Sequence, residues 1–239
     1  MKIIISGCSY SCTPYESSYS YFLNKQYDIK NIAFPGQSNS NIIKKIYEYT
    51  IEHKIKNSLI ICQYTHLHRI GMYTDVLKKW IDYQPYHMNI ETVKNGIEVL
   101  NNPKSIGTAV KRLYTEWNTL YNISETTFTE LVLMYELYLK NVFNEVKEFE
   151  QLMLNTDLLT EWIKATGNDV LFMYWPELNN EKQKIELNKR NFFNIDSEYS
   201  MLKWTTDNNL IDKQTLHLSK YGSEIFGNKL NETCLQYKI

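Results

Sequence analysis

Two side chains near opposite ends of the chain have the chemistry of a nucleophile and its general base. Ser9 lies in a short turn over residues 7–11, and His217 lies just before the last predicted helix. A serine hydroxyl attacks an acyl carbon when a histidine within hydrogen-bond reach takes its proton. Each residue also has an ordinary interpretation, Ser9 as a turn or capping serine and His217 as a structural histidine. The pair predicts acyl transfer only if the fold brings the two together.

Gly36 and Asn39 lie in a loop rich in turn-forming residues, after a second apolar run. A glycine lets the backbone approach a ligand and offers it an unhindered N–H, although glycine is also a common turn residue. Asn39 has a donor and an acceptor for a ligand, or else caps the next helix. Both residues are therefore candidates for a site that would include Ser9.

The elements around these residues alternate between strand and helix. Short β-branched runs predict buried strands, and amphipathic spacing predicts the helices between them. In the first 65 residues the predicted strands are 1–6, 30–34 and 58–63, and the predicted helices are 17–25 and 41–53. This alternation indicates a parallel sheet with helices on both faces. Ligands of such sheets bind beyond the carboxyl ends of the strands, which is where Ser9 and Gly36 lie.

The rest of the chain has an irregular middle and then returns to the sheet. Residues 71–124 have weak periodicity and recurrent turn residues, and helices are predicted over 128–154 and 157–165. We therefore expect one domain over residues 1–239, with 71–156 as a mostly helical insertion or cap. A fourth strand at 169–175, a short fifth strand near 192–195 and a closing helix at 219–236, capped by Ser219, complete the prediction.

Composition and charge exclude several classes of partner. Of the 239 residues 43% are hydrophobic and 22% charged, which is typical of a globular domain. The formal net charge of -1 provides no attraction for nucleic acid or an anionic membrane. Four cysteines without zinc-finger or redox spacing are expected to be free thiols. His66 and His68 have no accompanying carboxylate pattern, so we expect no metal and no cofactor.

The start of the chain bears on its location in the cell. Residues 5–8 resemble a lipoprotein processing site, but the apolar run before them is too short for a signal peptide. No run approaches the roughly 18 apolar residues that a membrane span needs. We therefore expect a cytoplasmic protein.

Three segments together resemble the sequence blocks of the SGNH (GDSL-like) hydrolase family. Gly7-Cys8-Ser9-Tyr10-Ser11 resembles the first block, whose serine is the nucleophile. Residues 31–39, with the sequence NIAFPGQSN, resemble the second block, whose glycine, here Gly36, donates an oxyanion-hole N–H. Residues 216–222 resemble the terminal block, which carries the histidine, here His217. The order of the blocks matches the family, and the resemblance covers residues 1–70 and 168–239.

The third block of the family departs from the pattern. It supplies an asparagine to the oxyanion hole, whereas this chain has Gln63 and Thr65, either of which would substitute as a donor. Arg69 follows, as in a variant branch that the segment resembles, and is a candidate substrate contact together with Asn39. The loss of a good oxyanion donor typically costs about 100- to 1000-fold in rate.

The acid of the triad is also altered. The family usually places it two or three residues before the histidine, where this chain has Gln214 and Thr215. Asp212, five positions before His217, is the nearest acidic candidate. The alternatives are a dyad in which a backbone carbonyl orients the imidazole, and a site that is inactive.

The resemblance implies a three-layer α/β/α sandwich around about five parallel strands, and a serine esterase. Its implied substrate is a small-molecule or glycan ester, such as an O-acetyl group on a carbohydrate. The altered third block and the missing acid favour an alternative, a degenerate module of the same fold that binds a glycan or a virion partner. The chain also resembles divergent members encoded by bacteriophages, for which the virion or the host cytoplasm would be its location. The oligomeric state cannot be predicted.

Overall fold

Three consecutive isoleucines place strand β1 (Lys2–Ser6) inside a sheet, because a run that is apolar on both faces needs cover on both sides. The computed structural model describes residues 1–12, 18–23, 26–74, 79–83, 115, 118–119, 122–178, 180–212 and 217–237. The other strands are β2 (Asp28–Asn31), β3 (Ser58–Tyr64), β4 (Ile70–Thr74), β5 (Lys79–Tyr83) and β6 (Asp169–Tyr174). In the described part of the chain the main sheet has four parallel strands in the order β2–β1–β3–β6.

Helices cover this sheet on both faces. They are α1 (Tyr19–Leu23), α2 (Asn39–Glu52), α3 (Glu125–Asn141), α4 (Glu145–Ala165), α5 (Glu181–Asn188), α6 (Met201–Asp207) and α7 (Lys220–Cys234). A serine or asparagine side chain accepts a hydrogen bond at the start of each helix from α2 to α7, including the predicted cap Ser219. Among the described helices, none has the length and apolar character that a membrane crossing requires.

Side chains of successive strand residues point to two separate cores. Ile3 and Ile5 pack in one core with α1, α6 and α7, whereas Ile4 packs in the other with α2 and α4. Strands β3 and β6 alternate in the same way, as the period of two in a strand requires. The predicted three-layer α/β/α sandwich is therefore confirmed.

The predicted fifth strand near 192–195 is reduced to an isolated bridge. Phe192 lies opposite Phe172 of β6, and the Phe193 N–H donates to the Phe172 carbonyl at 2.7 Å. Asp196 and Ser197 then adopt positive φ angles of 52° and 69°, which turn the chain away from the sheet edge. Pairing therefore stops after one position.

The boundary between the two long helices was also predicted wrongly. The chain breaks at residues 142–144, where Asn144 accepts a hydrogen bond from the Lys147 N–H and starts α4. The predicted break near residue 155 lies inside α4, where the Thr156 hydroxyl donates to the Leu152 carbonyl of the preceding turn. Cap chemistry, which a periodicity count overlooks, decides the boundary.

The described part of the predicted insertion is not entirely helical. Strands β4 and β5 pair as an antiparallel hairpin, with Gly71 opposite Asp82. Residues 75–78, 84–114, 116–117 and 120–121 lie outside the described residues. The helical character of residues 71–156 as a whole therefore stays a prediction.

Candidate active site

Ser9 begins a single turn of 3-10 helix, Ser9–Ser11, just beyond the carboxyl end of β1. The turn is closed by a hydrogen bond of 3.0 Å from the Ser11 N–H to the Cys8 carbonyl. Ser9 is half-buried, and no hydrogen bond involves its hydroxyl among the described residues. A serine in this position has an accessible oxygen with which to attack an acyl group.

Buried polar side chains support this turn from below. Gln63, which is completely buried on β3, accepts a hydrogen bond from the Ser11 hydroxyl and donates to the Cys8 sulfur at 3.1 Å. The hydroxyls of Ser11 and Tyr19 share a hydrogen bond of 2.5 Å. The Gln63 amide oxygen and one of its two N–H donors are thus engaged beneath the Ser9 turn and hold that turn in place. The oxyanion role of Gln63 stays a prediction.

Burial keeps the groups beneath the turn in their neutral forms. It raises the pKa of the Cys12 thiol to about 12 and lifts the pKa of Tyr19 well above its usual value. All four cysteines are buried and free, as predicted. Gly7 allows the close packing here, because a Cβ atom would lie 2.7 Å from the Ser11 oxygen and 2.9 Å from Gln63 Cβ.

His217 lies beside the Ser9 turn. Its ring centroid is 4.8 Å from that of Tyr10, the residue that follows Ser9. The Tyr10 ring in turn stacks on buried Trp175, at a centroid distance of 3.7 Å and an interplanar angle of 23°. Trp175 follows β6, so the stack joins the carboxyl edge of the sheet to the loop before α7. The fold thus brings the first and last sequence blocks to one place.

Asp212 lies opposite His217 across a short antiparallel bridge. Ile211 pairs with Leu218, and the Asp212 N–H donates to the His217 carbonyl at 2.8 Å. Residues that face each other in an antiparallel pair direct their side chains to the same side. The Asp212 carboxylate and the imidazole therefore share one side of the bridge, while Gln214 and Thr215 lie outside the described residues.

Gly36 lies in the loop after β2 with a φ angle of 78°, a conformation that favours glycine. A hydrogen bond of 3.1 Å from the Phe34 N–H to the Gly7 carbonyl ties this loop to the Ser9 turn. Within the described part of the chain, the Gly36 N–H makes no hydrogen bond. The amide therefore has a free donor, as an oxyanion hole requires.

Asn39 and Thr65 form a paired contact between α2 and the end of β3. The Thr65 N–H donates to Asn39 Oδ1 at 2.7 Å, and Asn39 Nδ2 donates to the Thr65 carbonyl at 3.1 Å. The Asn39 amide oxygen and one of its two N–H donors are thus engaged with the Thr65 backbone, and the role of Asn39 as a substrate contact stays a prediction. The Thr65 hydroxyl is buried and has no hydrogen-bond partner.

Unused hydrogen-bonding capacity is found in the segments at this edge of the sheet. The buried side-chain atoms without partners in the described residues are Gln37 Oε1, Thr65 Oγ1, Arg69 Nη1 and Trp175 Nε1. All four residues follow the carboxyl end of a strand, namely β2, β3 or β6. Unpaired buried polar atoms are uncommon in folded proteins, and a ligand is one of the ways to satisfy them.

Asp82 of β5 also reaches this edge and was not predicted. One carboxylate oxygen accepts from the Ser38 N–H at 2.8 Å, from the Ser38 hydroxyl at 2.6 Å and from Asn41 Nδ2 at 2.8 Å. A carboxylate at the start of α2 interacts favourably with the helix dipole. The weak periodicity around residue 82 offered no signal for this contact, and Tyr10 and Trp175 were missed because each looked like an ordinary apolar residue.

His66 and His68 stack on each other after β3, with ring centroids 5.1 Å apart. Burial and then the charge of Arg69 lower the pKa of each imidazole to about 4, so both are neutral near pH 7. In the residues that the structure describes, no group of three histidine, cysteine or acidic side chains has the arrangement of a metal site.

Comparisons with known proteins identify the fold. No family model matches the chain, and no curated protein does so with significance. Among solved structures, protein YXIM from Bacillus subtilis matches 98% of this chain at 12% identity with a TM-score of 0.50. The chain spans 56% of that protein's length.

Two further matches cover almost the full length of both proteins compared. The psychrotrophic esterase EstA from Pseudoalteromonas sp. matches at 11% identity over 98% of this chain and 97% of its own, with a TM-score of 0.49. A protein of Desulfitobacterium hafniense, described as lipolytic and of the G-D-S-L family, matches at 11% identity over 97% and 98%, with a TM-score of 0.46. At identities of 11–12% these likenesses concern the fold alone, and the match to YXIM agrees with the α/β/α architecture described above.

Proposed function

We propose that the chain is an SGNH-type serine esterase that removes an acyl group, an acetyl group in the simplest case, from a carbohydrate. The observation that carries this proposal is the contact between the rings of His217 and Tyr10. This contact puts an imidazole from the end of the chain against the residue that follows Ser9, and the hydroxyl of half-buried Ser9 makes no hydrogen bond to the described residues. Acyl transfer requires a nucleophile with a base within hydrogen-bond reach, and this arrangement supports such a pair.

The proposed reaction has two stages. His217 takes the proton of the Ser9 hydroxyl as the oxygen bonds to the acyl carbon, and the imidazolium then protonates the departing alcohol. Water next attacks the acyl-serine and gives a proton to His217, and the imidazolium returns a proton to the Ser9 oxygen as the carboxylic acid is released. The N–H groups of Ser9 and Gly36 and the hydroxyl of Thr65 stabilise the oxyanion in both stages. Asp212 orients the imidazole and stabilises its charged form.

Polar and aromatic groups near Ser9 favour a polar alcohol over a lipid. Unpaired polar atoms of Gln37 and Trp175 lie in segments at the carboxyl edge of the sheet, and sugar hydroxyls would satisfy such atoms. The exposed aromatic surface of half-buried Tyr10 suits the apolar face of a sugar ring. A carbohydrate ester is therefore the proposed substrate class.

A fluorophosphonate probe tests the nucleophile directly, because it forms a stable adduct only with an activated serine. We expect the wild-type protein to be labelled and mass spectrometry of its peptides to place the label on Ser9. Ser9→Ala should abolish labelling. Ser40→Ala, which removes an exposed hydroxyl near the start of α2, is the matched control and should be labelled like the wild type.

Substrate class is tested with acetylated sugars and 4-nitrophenyl acetate. Release of acetate by the wild type and by Ser40→Ala, with loss in Ser9→Ala, would support the proposal. A protein that is labelled and hydrolyses 4-nitrophenyl octanoate as fast as 4-nitrophenyl acetate, but no acetylated sugar, would still be an esterase. That result would contradict a carbohydrate substrate. Absence of both labelling and turnover would contradict the enzyme and favour the binding module of the same fold.

A further inference from the structure

Arg69 is a partly buried cation that lacks an anionic partner in the described residues. Its Nη1 atom is buried and makes no hydrogen bond, and no ion pair involves its guanidinium. Arg190 shows the usual arrangement, with bonds of 2.7 and 2.8 Å to Asp157 and of 2.8 Å to Glu186. A buried charge without a partner is costly, so a protein that keeps one at its ligand-binding edge has an unfilled anion position there.

The groups around Arg69 add hydrogen-bond donors and no negative charge. The pKa values near 4 leave His66 and His68 neutral at pH 7, and a neutral imidazole still carries one N–H donor. The hydroxyl of Tyr135 on α3 donates to the His68 carbonyl at 2.8 Å, which fixes this segment against the cap. Glu148 of α4 accepts a hydrogen bond from the Tyr138 hydroxyl at 2.9 Å and forms no ion pair with Arg69.

Contacts on both sides of Arg69 hold its segment against the start of α2, close to Gly36. Thr65, four residues before Arg69, pairs with Asn39 of α2 through two hydrogen bonds between its backbone and the Asn39 side-chain amide. Gly71, two residues after Arg69, packs so closely that a Cβ atom there would lie 2.6 Å from the Ser38 oxygen. Both contacts lie within three residues of Gly36. The cation therefore belongs to the same edge of the sheet as Ser9.

Asp82 is the carboxylate that the hairpin brings to this edge, and it does not neutralise Arg69. The contacts of its Oδ1 atom are with Ser38 and Asn41. Neither Asp82 nor Arg69 takes part in an ion pair between described residues. Within the described part of the chain, the Arg69 guanidinium thus has no anionic partner.

We infer that Arg69, together with His66 and His68, forms a subsite for an anionic oxygen group, a carboxylate or a phosphate, carried by the alcohol part of the ester. The planar guanidinium matches either group through two parallel N–H donors. The reference to an ester rests on the proposed function, whereas binding of the anion does not. The subsite makes the substrate an acidic ester, such as an acetylated sugar acid or an acetylated sugar phosphate.

The kinetic test uses aryl acetates that differ in the charge of one substituent. These are 4-acetoxybenzoate, its neutral methyl ester, and 4-acetoxyphenyl phosphate. We expect the wild type to have a KM at least about tenfold lower for an anionic ester than for the neutral one. Arg69→Met should raise the KM of the anionic ester more than the KM of the neutral ester, so that the ratio of the two KM values falls to near one. The anionic ester whose KM rises more in Arg69→Met shows whether the subsite prefers a carboxylate or a phosphate.

Two variants control for general charge and for folding. Lys56→Met removes one exposed positive charge at the opposite edge of the sheet and should keep the preference. Arg69→Lys keeps the positive charge but lacks the two parallel N–H donors of the guanidinium, so it should retain part of the preference. It replaces Arg69→Met in the test if Arg69→Met does not fold. Equal KM values for the charged and neutral esters in the wild type would overturn the inference, as would a preference that Arg69→Met and Arg69→Lys both leave unchanged.

A binding measurement separates this inference from the proposed function. Benzoate and inorganic phosphate are titrated into wild-type and Ser9→Ala protein while the imidazole proton resonances of His66 and His68 are followed by NMR. Saturable shifts in both proteins, absent in Arg69→Met or Arg69→Lys, would support the subsite even if neither ester is hydrolysed. Hydrolysis without saturable shifts for either anion would support the esterase and overturn the subsite.

Discussion

The imidazole of His217 packs against the ring of Tyr10 with a centroid separation of 4.8 Å, and Tyr10 is the chain neighbour of Ser9. The Tyr10 ring also stacks on Trp175, and this contact joins the end of strand β6 to the turn after β1. The aromatic stack therefore joins His217 to the turn that contains Ser9.

Removal of the Tyr10 ring should lower activity without loss of the fold. Tyr10→Ala removes the surface on which His217 rests, and we expect kcat to fall about tenfold or more, because small displacements of a catalytic base are costly. Tyr10→Phe keeps the ring and should stay within about threefold of the wild type. Tyr221→Ala, at an exposed position on α7, is the control. Steady-state hydrolysis of 4-nitrophenyl acetate measures all four proteins, and equal loss in Tyr10→Phe would show that the hydroxyl matters more than the ring.

Asp212→Asn tests whether the site is a triad. Asparagine cannot stabilise the imidazolium, so kcat should fall by roughly 100- to 10,000-fold if Asp212 is the acid. Asp207→Asn, at an exposed residue that ends α6, should leave kcat unchanged. A change below about threefold would instead indicate a dyad.

Thr65→Val should separate catalysis from stability. The Thr65 hydroxyl is buried without a partner, so its replacement by a methyl group of similar size removes no hydrogen bond. We expect a melting temperature equal to or slightly above that of the wild type, and a kcat about 100-fold lower if the hydroxyl is an oxyanion donor. Thr160→Val, in α4, is a matched control. An unchanged kcat would leave the oxyanion hole to the backbone N–H groups alone.

Gln63→Leu should have the opposite effect, a loss of stability first. The change leaves the Ser11 hydroxyl and the Cys8 thiol without their buried partner, and we expect the free energy of unfolding to fall by about 1–3 kcal/mol. Gln151→Leu, on the exposed face of α4, controls for the substitution itself. Urea denaturation gives the comparison. A Gln63→Leu protein that is as stable as the wild type but has a reduced kcat would support an oxyanion-hole role for Gln63.

Because His66 and His68 are neutral in the folded protein, we expect the protein to lose stability in acid. In the folded protein His66 and His68 have pKa values of about 4, below the ordinary 6.5. Between about pH 6.5 and pH 4 the unfolded chain therefore binds protons that the folded chain does not, so the free energy of unfolding falls as the pH falls through this window and levels off below it. Each histidine contributes on the order of 1–3 kcal/mol.

Urea denaturation at pH 7 and pH 4.5 measures this dependence. His66→Gln and His68→Gln should each lose less stability than the wild type between the two pH values, because glutamine does not titrate. His53→Gln, at an exposed position after α2, should behave like the wild type. The same pH dependence in all four proteins would show that carboxylates, and not these imidazoles, dominate the acid response.

Local features of the sequence were enough to predict the layers of the fold and the order of its blocks. The run of isoleucines in β1, the amphipathic spacing of α2 and the capping serine Ser219 act through neighbours a few residues away, and all three features are present in the structure. The placement of Ser9 and Gly36 beyond strand ends followed from the same alternation.

The roles of the polar side chains were decided by the tertiary structure. Gln63 and Thr65 were equivalent candidates in the sequence, but Gln63 is bonded to Ser11 and Cys8, whereas the Thr65 hydroxyl has no partner. Asp82 gave no sequence signal, yet it binds Ser38, which is 44 positions away. The hydrogen-bond partners of a buried polar group come from distant segments that packing brings together, and the spacing of residues along the chain carries no information about them.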